Sequence, residues 1–144
     1  MTNITTRHAS NLNGVSQFDA EFASDDLLMC VLRDYLVATC SEEDFTAFLN
    51  AFEVNPDFLD ACLQAINESA KFVAKVKVFD DEQFEECVLP DVADIARLKL
   101  PFRDMWMHHL QASLHSFPPL LKEVEAERFT KRMLLVLERI DASL

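Results

Sequence analysis

The sequence predicts an all-α fold: a compact single-domain bundle of about six to seven helices over residues 18–144, preceded by a flexible N-terminal arm over residues 1–17. Three observations carry this expectation. Apolar residues recur at spacings of three and four along most of the chain. The runs open on Ser, Asp, Asn or Pro, the residues that satisfy or dispense with the free N–H groups of a helix start. Gly14 is the only glycine, so beyond it the chain lacks the residue that adopts positive φ most readily. Phosphate-cradling loops, dinucleotide fingerprints and nucleophile elbows all need that freedom.

Residues 1–17 are rich in Asn, Thr and Ser and carry few large apolar groups, which predicts an arm and not a packed element. Ser24 then caps a helix whose first turn holds Asp25 and Asp26, acids that suit the positive end of the helix dipole. Leu27, Leu28, Val31, Leu32, Tyr35 and Leu36 give its stripe, and Met29, Cys30, Val37 and Ala38 fill the rest, which predicts a central helix. Ser41, with Asp44 three residues on, opens a second helix faced by Phe45, Phe48, Leu49 and Phe52. Asn55-Pro56 opens a third, carrying Phe58, Leu59, Cys62, Leu63 and Ile66.

The stretch Lys71 to Phe79 is ambiguous, because Ala74, Val76 and Val78 alternate with Lys75 and Lys77 as in a half-buried strand. A lone strand has nothing to pair with, so continuation of the third helix through Val73 is the simpler expectation. Asp80 or Asp81 caps a short helix with Phe84, Cys87 and Val88 that ends before Pro90, and Asp91 to Leu98 forms another. Pro101 starts a longer helix with the stripe Phe102, Met105, Trp106, His109, Leu110, Ser113, Leu114 and Phe117. The last helix is expected from about Pro119 to Asp141, with the stripe Leu120, Leu121, Val124, Phe129, Met133, Val136, Leu137 and Ile140, and with Lys131, Arg132 and Arg139 suiting its C-terminal half.

At 144 residues and 50% hydrophobic composition the chain can bury one sizeable core. The longest apolar stretch, Leu27 to Cys40, is too short to span a bilayer, and residues 1–13 lack the apolar run of a secretory signal. The four cysteines show no CxxC and no zinc spacing, which predicts free, largely buried thiols, no metal and no cofactor, and a cytoplasmic setting. Net charge is −12, and residues 19–70 hold twelve acids against the single base Arg33. Such a field disfavours direct binding to nucleic acid or anionic membranes and would steer a basic protein.

Three of the four histidines fall in the Trp106 helix. His109 lies on its apolar stripe, while Asp104, His108, Gln111 and His115 share a polar face expected to be solvated. Neither Glu-x-x-His nor His-x-x-x-His occurs, so a helical carboxylate-bridged metal centre is not expected. Nucleophilic catalysis also has little support. The functional expectation is a non-catalytic acidic protein that binds another protein. Its acidic face would comprise Asp25, Asp26, Glu42, Glu43, Asp80, Asp81, Glu82, Glu85 and Glu86. An exposed apolar helical face, serving a partner or a homodimer, is the other version. A ligand-binding or sensor domain with a pocket at Met105, Trp106 and His109 is the alternative.

Overall fold

Capping and proline chemistry set most element boundaries in the computed structural model, which describes residues 25–144 and the side chains from Leu27 onward. The expected arm, Gly14, the Ser24 cap and the Asp25 and Asp26 carboxylates lie outside the described residues. Among those residues all regular structure is helical, and no strand occurs. None of them combines a positive φ with a Cβ. The chain divides into two compact units, Met1–Glu68 and Ser69–Leu144.

In the first unit, α1 (Asp25–Thr39) buries Leu27, Leu28, Leu32, Tyr35 and Leu36. It is not buried all round as its composition suggests. Val37 and Ala38 are exposed, because they follow Arg33 and Asp34 by one turn and share the side those charges keep in water. Helix α2 (Glu42–Val54) starts where the Asp44 N–H donates to Ser41 Oγ at 3.2 Å. Of its predicted stripe only Phe52 is buried; Phe45 and Phe48 are half-buried and Leu49 is exposed. Phe52 lies 5.9 Å from Phe48 and 5.5 Å from Phe58, and Phe48 stacks on Phe58 at 6.2 Å. Each such ring pair adds about 0.5–1.5 kcal/mol beyond its burial, which ties α2 to the start of α3.

Helix α3 (Pro56–Val78) resolves the ambiguous stretch, because it continues past Val73 to Val78. Burial follows a helical period: Ile66, Ser69, Ala70, Val73 and Val76 are inside, whereas Lys71 and Lys75 are exposed. The apparent alternation does not track burial, since Val76 is inside but Val78 is 64% exposed. Lys77 is half-buried, with its ammonium 5.2 Å from the centre of the Phe117 ring.

The second unit continues through α4 (Asp81–Gln83), a π turn (Phe84–Val88), a 3-10 turn (Leu89–Asp91) and α5 (Val92–Ala96). In the π turn the Leu89 N–H reaches back to the Phe84 carbonyl. The widened turn comes directly before Pro90, which has no N–H and cannot continue an α-helical ladder. Phe84 and Val88 are buried as expected, but Cys87 is exposed. Helix α6 (Phe102–Ser116) is followed by a 3-10 turn (Pro118–Leu120) and α7 (Glu123–Ser143). The last helix thus begins later than expected, because Leu121 is extended and breaks the turn. Leu120 and Val124, expected on its apolar stripe, are 69% and 78% exposed.

Helices α5, α6 and α7 pack on one another. Their core holds Val92, Ile95, Met105, Leu110, Phe129, Met133, Val136 and Ile140. Phe117 meets Phe129 edge-on at 5.7 Å, and Phe72 of α3 meets Trp106 in the same manner at 5.7 Å.

Candidate functional site

Arg132 is the residue around which the acid-rich segment is built, and its side chain is buried. The sequence places it in the C-terminal half of the last helix, where a base suits the dipole, but its guanidinium has a more specific task. One terminal nitrogen donates to the Val76 carbonyl at 3.0 Å and to the Phe79 carbonyl, and the other donates to Asp81 Oδ1 at 2.8 Å. The Phe84 ring lies 4.9 Å from the guanidinium carbon.

The need for these bonds follows from the cap of α4. Asp80 and Gln83 form a capping box, in which Gln83 N–H donates to Asp80 Oδ1 at 2.8 Å and Asp80 N–H donates to Gln83 Oε1 at 3.1 Å. Those two N–H groups are the ones that would serve the Val76 and Phe79 carbonyls if α3 ran on. Diverting them leaves two carbonyls at the end of α3 in want of donors. A planar guanidinium with five N–H donors can serve both and a carboxylate together. Sequence reasoning narrowed the cap to Asp80 or Asp81 but did not reach its consequence for Arg132, which lies more than fifty residues away.

Of the expected acidic face, Asp80, Asp81, Glu82, Glu85 and Glu86 stand exposed in the second unit. Asp81 is engaged by Arg132, and Asp94 pairs with Arg97 at 3.3 Å. Glu82, Glu85, Glu86 and Asp91 enter no ion pair among the described residues. Glu42 and Glu43 are exposed in the first turn of α2, in the first unit. Beside the acid segment lies an open groove of about 500 Å³, with Asp81, Phe84 and Glu85 on one wall and α7 residues from Val124 to Leu135 on the other.

The expected pocket fares differently. Met105 and Trp106 are core residues, 1% and 7% exposed. His109 is half-buried, as is His108, which the sequence placed on a solvated face with Asp104, Gln111 and His115. Burial, reinforced by the neighbouring charge of His108, lowers the His109 imidazole from 6.5 to about 4. The fold therefore holds His109 neutral. As pH falls below 6.5 the unfolded chain takes up this proton first, so the contribution is complete above 6.5 and is lost toward about 4. His109→Gln is expected to flatten the decline in urea stability between those two pH values. Equal slopes for the two proteins would count against the neutral imidazole.

None of the four cysteines is in a disulfide; burial pushes Cys62 up to about 12, where it is inert, and Cys87 is exposed. Among the described residues no three of His, Cys, Asp and Glu gather as metal ligands would. No helix among them is long and apolar enough to cross a membrane. The site and fold thus define an all-α chain with a buttressed, acid-rich corner. No protein-family model, curated protein or solved structure matches the chain.

Proposed function

We propose that this chain is a non-catalytic protein-binding module that docks a basic partner on the acid-rich segment Asp80 to Asp94. The observation that supports this reading is the contrast between fixed backbone and free charge. A capping box and Arg132 fix the start of the segment, from Asp80 to Gln83. Glu82, Glu85, Glu86 and Asp91, by contrast, are exposed and enter no ion pair within the described residues. Charges presented on a rigid support lose little entropy on binding and speed encounter with an oppositely charged surface. Glu42 and Glu43 add a second acidic patch on their own unit. The same sign of charge disfavours direct contact with nucleic acid or an anionic membrane, and four cysteines without a disulfide suit a cytoplasmic setting.

The test is capture of proteins from extract on the immobilised full chain across a salt series. The expected result is retention at low salt, release as salt rises toward physiological strength, and loss with the combined change Glu82→Lys, Glu85→Lys and Glu86→Lys. Retention that ignores both salt and these substitutions would rule out the acidic face.

A further inference from the structure

The groove beside the acid segment carries opposite charges on its two walls. Glu85 stands on the wall formed by Asp81 to Glu85, and Arg128 on the wall formed by α7. Neither enters an ion pair among the described residues, so these unlike charges share one groove without meeting. Lys131 adds a second base to the α7 wall, shared with Glu127 at 3.6 Å. Each wall also carries apolar groups: the Phe84 ring on one, and on α7 Leu135 and Val124, which is 78% exposed. Val124, Arg128, Lys131 and Leu135 follow one another at spacings of four, three and four, one stripe along α7.

We propose, building on the protein-binding reading above, that this groove seats one helix of the partner, with lysine or arginine along the flank facing Glu85, an aliphatic seam over Val124 and Leu135, and acids along the flank facing Arg128. Both walls are helical, with backbone groups already committed to their own ladders. An extended peptide would find no sheet edge there, whereas a helix brings its own backbone bonds satisfied. The stripe from Val124 to Leu135 is about 16 Å long at 1.5 Å per residue, which matches about three turns of a partner helix.

Three synthetic peptides of about 18 residues, long enough to hold helix in water, provide the probes. All share a leucine seam; their flanks are Lys and Glu, Lys and Lys, or Glu and Glu. Fluorescence anisotropy with the full chain is expected to show the mixed-flank helix binding roughly tenfold tighter than either uniform one. Arg128→Glu should transfer that preference to the Lys/Lys helix, and Glu85→Lys should transfer it to the Glu/Glu helix. The double variant should restore the mixed preference, because a helix reversed end for end exchanges its flanks. Both side chains are exposed and enter no ion pair among the described residues, and unchanged Trp106 fluorescence checks that the fold is kept.

Equal binding of the three peptides, no saturable binding of the mixed one, or a preference untouched by Arg128→Glu would each overturn the groove assignment. Tightest binding of the Lys/Lys helix to the unaltered chain, lost with Glu82→Lys and Glu86→Lys, would also overturn it while leaving the acidic-face reading standing. That reading falls separately, on salt-indifferent capture.

Discussion

Arg132→Met is expected to lower the stability of the Ser69–Leu144 unit by about 3–5 kcal/mol, the sum of two carbonyls left without donors at about 1–3 kcal/mol each and a lost cation–π contact. Methionine keeps much of the apolar stem, so packing loss is small and the missing hydrogen bonds dominate. Equilibrium urea unfolding followed by Trp106, the only tryptophan, reads this unit directly. Two companions separate the causes. Asp81→Asn removes only the exposed end of the pair, whose side chain is 93% accessible, and should cost under about 1 kcal/mol. Arg132→Lys keeps the charge but not the fork, and should lose most of what methionine loses. If methionine at this position costs no more than Asp81→Asn, the two carbonyls are satisfied in some other way and the buttress is wrong.

Phe129→Ala should cost about 3–5 kcal/mol in the same assay, the range for deleting a fully enclosed phenylalanine. Phe129 is 1% exposed, meets Phe117 edge-on at 5.7 Å, and stands on the same helix as Met133, Val136 and Ile140, none of them more than 0% exposed. Its removal opens a void that rigid helices α5 and α6 cannot close fully. Leu134→Ala, at a position 52% exposed on the same helix, should change stability by about 0.5 kcal/mol or less. Similar costs for the two would contradict the assigned inner face of α7.

These two positions also show where sequence reasoning reached and where it stopped. Phe129 lies on a stripe of three-four spacing that is visible in the chain, because a helix turns 100° per residue whatever it packs against. Arg132 sits beside that stripe and reads as an ordinary surface base, since nothing local reveals that two distant carbonyls lack donors. The same limit explains α1. Its apolar content suggested a buried helix, but only packing could decide which apolar residues share a side with Arg33 and Asp34. Met105 and Trp106 looked equally able to line a pocket or fill a core, and the Phe72 ring against Trp106 shows the second.

What the sequence determined by itself was the all-α class, the cap at Ser41, a cap at Asp80 or Asp81, the loss of α-helical geometry near Pro90 and the acidic balance. Each is a local property: hydrogen-bond geometry over three residues, a missing N–H, a count of charges. The tertiary structure decided that Arg132 completes the end of α3, that Glu85 and Arg128 share one groove without pairing, and that His109 is held neutral. Those depend on long-range burial and on donors supplied from elsewhere in the chain, which short-range periodicity does not encode.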